Sequence, residues 1–351
     1  MSQPAAVSLR PPSLRRASLS RVTVIAIVVV AAATTLLAFA VTPLAGVADY
    51  LVTATIVTIA AVVAASWRVE GRRQAVDRLA TSGTLLALVL TLIPLAFVLG
   101  YVVKQGATRF SGAFLTNSMA GVGPTSAGGG IAQAIIGTVE QVLMASALAV
   151  PLGLLVAIYI TEYSDGALAA AVRFLIDVMT GIPSIVAGLF VLSFWLIALG
   201  QGFSGFAGAM ALSILELPIV VRTSEQMILL VPHALREASY ALGIPKWKTI
   251  LRVVLPTAAT GITTGIMLAV ARVIGETAPV LLVVGNNNFV NSDVFHNAQA
   301  SLGVFIYQNA GSFSDFDVQR AWAAALTLIL IVVVLYVAAR LLTRRNKLAR
   351  G

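Results

Sequence analysis

The chain contains no cysteine and only two histidines, His233 and His296, far apart in sequence. A disulfide framework and a thiolate-held metal are therefore excluded, and the histidines have no partner at ligand spacing. Charge is scarce: Asp, Glu, Lys and Arg make up 11% of the 351 residues, about half the share of a soluble domain. No Gly-x-x-x-x-Gly-Lys-Ser/Thr stretch occurs, so there is no loop to cradle the phosphates of ATP, and nucleotide hydrolysis is not expected of this chain. Polar segments are too short for a folded sensing domain. No inverted internal repeat of the secondary-transporter kind is visible.

What is abundant is apolar sequence, 59% of the chain. Runs of about twenty apolar residues recur, long enough to cross a bilayer as helices. The spacing predicts an all-α polytopic membrane protein with about eight transmembrane helices, near 22–41, 50–66, 79–103, 131–160, 180–199, 206–230, 256–284 and 321–342. The first run is too long for the core of a cleaved signal peptide, although Ala38-Phe39-Ala40 superficially resembles a cleavage site. Pro43 and Gly46 predict a tight turn after it, Pro94 a kink in the third span, and Pro151 with Gly153 a bend in the fourth. Glu162 to Asp165 reads as a short inner loop, followed by an amphipathic piece with Arg173 and Asp177 at i, i+4. The segments 104–130 and 286–319 read as polar loops on the outer side. Four regions follow: a tail at 1–21, two helices and a charged loop at 22–78, a transmembrane domain at 79–343 and a basic tail at 344–351.

The net charge of +9 has a topological explanation. Eighteen of the 23 Lys and Arg fall on the side of the two termini; the exceptions are Lys104, Arg109 and Arg320 opposite, and Arg222 and Arg272 inside spans. This bias predicts cytoplasmic termini and attraction to anionic lipid, and makes nucleic acid an unnecessary partner.

Two stretches carry chemistry. Within the loop at 232–256, Glu237 to Pro256 (EASYALGIPKWKTILRVVLP) reads as two short helices hinged at Gly243, a residue free to adopt positive φ. The second is Arg272-Val-Ile-Gly-Glu276-Thr277-Ala-Pro279 in the seventh span. Arg272 lies about 16 residues beyond Pro256, roughly 24 Å along a helix, and Glu276 one turn further on the same face of a continuous span. Intramembrane charges are expensive and functional by default. A guanidinium matches a tetrahedral oxyanion through paired N–H donors, and Glu276 can orient it, although an unpaired carboxylate would repel an anion. A pair that only fixes helix packing is the competing explanation. Arg222 and Glu216 are further intramembrane candidates. Arg222 lies close enough to the inner end of its span to pair with Glu225, Glu216 precedes the Pro218 break, and Glu140 sits near an outer end.

Glu-Ala, Gly243 and the closing Leu255-Pro256 resemble the coupling loop of binding-protein-dependent ABC importer permeases, with Ser239 where that family usually has a second alanine. Arg272 to Gly285, with Gly275-Glu276-Thr277-Ala278-Pro279, is similar to the segment that marks the phosphate-specific members, in the order of their A-type subunit. Gly181 to Gly188 and Leu217 to Thr223 also look like that family, and the resemblance covers about residues 80–345. It implies a six-helix type I core preceded by two extra helices, in the inner membrane of a bacterium. It implies docking of an ATPase on Glu237, Ala238, Ser239, Tyr240, Ala241, Leu242 and Gly243, and a substrate path at Arg272, Glu276, Thr277, Arg222 and Glu216. The implied partners are a second, C-type permease, two cytoplasmic ATPases that use ATP and magnesium, and an extracytoplasmic phosphate-binding protein. No cofactor or metal is expected on this chain. Three alternatives stand beside phosphate import: another oxyanion such as sulfate or molybdate, an ion-coupled transporter with an Arg–Glu relay, and a membrane scaffold that carries nothing.

Overall fold

The computed structural model describes residues 19–41, 46–163 and 166–348. The expected tail at 1–18, the turn at Pro43, the loop residues Ser164 and Asp165 and the final residues 349–351 lie outside them. Every regular element among the described residues is helical, as the apolar periodicity requires. Among the described residues, seven helices are long and apolar enough to cross a membrane, or up to eight if one bent pair counts as a span.

The chain divides into two compact units between Leu99 and Gly100, within a single helix. The first unit contains α1 (Arg21–Val41), α2 (Val47–Val69) and the first part of α3 (Arg72–Ala107). α1 packs on α2 through Phe39 and Tyr50, edge to face at 5.6 Å. The Glu70 carboxylate joins the three helices at one end. It accepts from the Leu19 amide at 2.6 Å, the Ser66 hydroxyl at 2.6 Å and the Arg78 guanidinium at 2.7 and 2.8 Å. Arg78 foremost, then Ser66, holds that carboxyl at a pKa of about 2.

The second unit continues through α4 (Gly112–Thr116), α5 (Ala132–Ile158), α6 (Ala167–Thr180), α7 (Ser184–Val191), α8 (Gly205–Leu229), α9 (His233–Ala241), α10 (Lys246–Thr249), α11 (Leu255–Val273), α12 (Ala278–Leu281), α13 (Leu302–Ala310) and α14 (Asp315–Leu348). α8 is the central element, packed on α5, α6, α7, α11 and α12. Its N-terminal half presents Gly205, Ala207, Gly208, Ala209 and Ala211, all buried. Lipid tails are as apolar as leucine, so close backbone approach at small residues, rather than hydrophobic drive, holds such a bundle. An upper core gathers Val142, Ala145, Leu212, Val273 and Val280; a lower one gathers Ala157, Ile160, Val221, Ile228 and Ile262.

α3 is one helix with Pro94 inside it. The amphipathic piece expected before the fifth span is α6, which is bent by 103° from the piece 184–198 that ends in a π-helical turn. That second piece is roughly 22 Å long, short of a hydrocarbon layer of roughly 30 Å. The basic run at Lys246 is no separate surface helix, because Lys246–Val273 forms one long helix through a π-helical stretch at Ile250–Val254. The seventh span ends at Val273 rather than at 284, and the following loop contains α13, whose Leu302, Val304 and Phe305 are buried.

Candidate functional site

Local sequence permits a break after α11. Gly275 has no side chain to hold a helix, and Pro279 is preorganised for a first helical turn, which it occupies in α12. The chain is pinned there from two sides. Gly188 of α7 lies so close to Pro279 that an added Cβ would sit 2.6 Å from the proline Cα. Thr277 Oγ1 packs against Gly303 of α13. Arg272 stands in the last turn of α11, where the negative end of the helix dipole favours a cation. It is exposed on the surface of the chain, and Glu276 is half-buried. Because the helix stops between them, they do not share a helical face as i, i+4 spacing in a continuous span would require. Neither side chain makes a hydrogen bond or ion pair among the described residues. Thr277 lines an open cleft of about 740 Å³ with Gly303, Ile306, Tyr307 and Gln308.

Arg222 stands elsewhere and is committed. It donates to Glu225 at 2.8 Å and to Asp177, while Glu225 also accepts from Arg173 at 3.0 Å. The chain Arg173–Glu225–Arg222–Asp177 ties α6 to α8. Glu216 is completely buried; one carboxyl oxygen accepts from Ser146 of α5 at 2.9 Å and the other has no partner.

The hinged stretch is an elbow. α9 ends in a Schellman motif: the Ile244 amide donates to the Ser239 carbonyl at 3.2 Å, the Gly243 amide to that of Tyr240 at 2.9 Å, and Gly243 has φ +75°. Pro245 then starts the next helix. Arg236 fastens α9 to the bundle, donating to Glu162 at 2.7 Å and to the carbonyls of Val231 and Ile228 at 2.6 and 3.0 Å. Ser239 faces inward and shares a 2.8 Å hydrogen bond with Thr249 across the elbow. Glu237, Ala238, Tyr240, Ala241, Leu242 and Gly243 are exposed, with Leu242 at 80%.

The opposite, loop side is held by contacts that sequence reasoning did not reach. Arg320, expected at that face, is completely buried, paired with Asp317 and donating to the carbonyls of Gly128 and Ser126. Arg109 donates to Gly128 at 3.0 Å and to Ala127; burial first, then the Arg320 charge, pulls its guanidinium below the usual range. Glu140 accepts from Gln299 at 2.6 Å, and Gln299 in turn accepts from Gln141 at 2.9 Å. Asp293 is held below the usual carboxyl range, chiefly by its 2.9 Å contact with the exposed His296. Only the Gly-rich run at 128–130 hinted that a backbone would be read by side chains here.

Comparison with known proteins supplies the context. Residues 149–348 match the family model described as "Binding-protein-dependent transport system inner membrane component". The chain is 47% identical over 283 residues to "Phosphate transport system permease protein PstA 1" of Mycobacterium tuberculosis, covering 79% of this chain and 92% of that one. It is 43% identical over 226 residues to "Phosphate transport system permease protein PstA" of Yersinia pestis, covering 64% and 76%. Among solved structures, a bacterial ABC transporter that imports the acidic polysaccharide alginate aligns at TM-score 0.55 and 18% identity, over 78% of this chain and 99% of that chain. The alginate transporter in complex with its pentasaccharide-bound periplasmic protein aligns at 0.57 and 16%, over 77% and 95%. These two likenesses concern the fold alone.

Proposed function

The chain belongs to the family of binding-protein-dependent transport system inner membrane components, and we propose that, as a permease subunit of an ATP-driven phosphate importer, it works by alternating access. The transport domain is the six-helix core at 79–343, preceded by the two helices at 22–78. Phosphate passes between this subunit and a second, C-type permease. An extracytoplasmic phosphate-binding protein delivers it on the loop side. Two ATPase subunits, which consume ATP with magnesium, dock on the exposed face of Glu237 to Gly243; hydrolysis belongs to them. Both termini then lie in the cytoplasm, as does the elbow, a placement supported by the eighteen cations on that side.

The observation that carries the transport path is Arg272, exposed and uncommitted at the end of a membrane-crossing helix. A charge in such a place is stable against a partner subunit, water or an anion. Arg222, held by two carboxylates, has less to offer a passing anion. Glu216, sealed between α5 and α8, joins the path only if that interface opens.

Uptake of radiolabelled phosphate by proteoliposomes containing the whole complex and its binding protein tests this. Arg272→Ala removes a charge-assisted contact worth about 1.5–3 kcal/mol, so uptake is expected to fall about 10- to 100-fold. Unchanged uptake in that variant would remove Arg272 from the path. Uptake competed by sulfate and not by phosphate would overturn the choice of substrate.

A further inference from the structure

An anion path that carries a bare carboxylate poses a problem. Glu276 follows Arg272 by four residues, yet the helix ends between them and the two make no ion pair among the described residues. The segment is nevertheless well fixed. The Glu276 amide donates to the Val273 carbonyl at 3.1 Å, Pro279 abuts Gly188, and Thr277 Oγ1 abuts Gly303. Glu276 is half-buried, its carboxylate satisfied by no protein donor among the described residues. The residue after it opens onto the cleft with Tyr307 and Gln308.

A carboxylate left without a donor, at a site that handles a doubly charged oxyanion, is repulsive unless the anion itself carries a proton to donate. Monohydrogen phosphate does. Sulfate, with the same tetrahedral shape and the same charge, does not. A carboxylate is an acceptor-only group, so it can receive the P–O–H of hydrogen phosphate while Arg272 donates to the ionised oxygens. Sulfate at the same place would set lone pair against lone pair. A site built to bond a substrate hydroxyl rejects an analogue lacking it far more strongly than shape alone can.

We propose that Glu276 is a specificity-determining residue of the permease itself: it accepts the proton-bearing oxygen of hydrogen phosphate and excludes fully ionised tetrahedral anions such as sulfate. This rests on the reading of the chain as a phosphate permease. It makes selectivity a property of the membrane path as well as of the protein that delivers the substrate. Arg272 supplies attraction and Glu276 supplies discrimination, so the two substitutions have different signatures.

The test must bypass the delivering protein, which chooses its own ligand. Proteoliposomes holding the complete complex, with binding protein outside, are preloaded with rising concentrations of phosphate or of sulfate, and ATP-driven uptake of radiolabelled phosphate is measured. The delivering protein never meets the internal anion; the ATPases inside do, but their response is common to the native complex and the Glu276 variants, so a change between these reports on the permease. In the native complex internal phosphate is expected to slow uptake at much lower concentration than internal sulfate. Glu276→Gln, equal in shape but without the charge, is expected to narrow that preference at least about tenfold by making sulfate inhibitory. Glu276→Asp, which keeps the carboxylate, is expected to retain it. A preference unchanged in Glu276→Gln overturns the proposal, as does inhibition by the two anions that weakens in parallel. Native uptake slowed equally by both anions, or by neither, also overturns it. A native complex that takes up no phosphate at all overturns the transport function beneath it, a separate outcome.

Discussion

Arg222 and Arg272 look alike on paper, an arginine within an apolar run, yet the fold treats them oppositely. Arg222 is spoken for by Glu225 and Asp177. Arg272 has no partner among the described residues. The difference gives a paired prediction. Arg222→Gln is expected to lower the thermal stability of the purified complex, by about 1–2 kcal/mol for a half-exposed ion network, since Glu225 keeps Arg173. Arg272→Gln is expected to leave the melting temperature in place and reduce phosphate uptake. Melting curves and uptake measured on the same preparations separate the two; a stability loss in Arg272→Gln alone would reverse the assignment. Pairing of Arg222 with Glu225 was legible from i, i+3 spacing. Asp177 was not, because it comes from α6, 45 residues away.

Among elements, the elbow was the most legible and the helix break the least. Gly243, Pro245 and the small residues of α9 encode a sharp turn in one short stretch, and the Schellman hydrogen bonds follow from local backbone geometry alone. A β-branched residue at φ +75° costs about 1–2 kcal/mol. No atom crowds that position, so Gly243→Val should distort the elbow without disturbing the bundle. The expected outcome is ATP hydrolysis that persists while phosphate uptake per ATP falls; normal coupling would count against docking at this turn. The break at Gly275 was harder to see. Gly and Pro within an apolar run suggest only a loosened helix, and a continuous span to 284 satisfied hydropathy equally well. What ends α11 is tertiary: α7 and α13 press their own glycines against Pro279 and Thr277.

At the scale of the whole molecule, the two compact units differ in how they are held together. The second is a many-helix bundle with three buried clusters. The first is a small helical unit whose junction depends on one carboxylate. The Glu70 pKa of about 2 lies below its ordinary 4.5. Its contribution to folding is therefore complete above the ordinary range and is lost as the pH falls through about 2. Trp67, three residues before Glu70 and exposed, offers a probe: in a variant retaining that tryptophan alone, its fluorescence is expected to stay constant through mild acid and to change only as pH 2 is approached. Glu70→Gln should move that transition or abolish it. A native transition near pH 4.5 would mean the junction does not hold the carboxyl as the geometry requires.

Composition and local pattern settled the class, the membrane and the elbow. Long apolar runs in a bilayer satisfy their backbone amides internally as helices, and a turn needs only its own glycine and proline, so both are written in consecutive residues. Which arginine stays free, where α11 stops and which carboxylate is left without a donor were decided only when distant helices met. Ion pairs and close backbone contacts depend on neighbours that one-dimensional spacing does not specify.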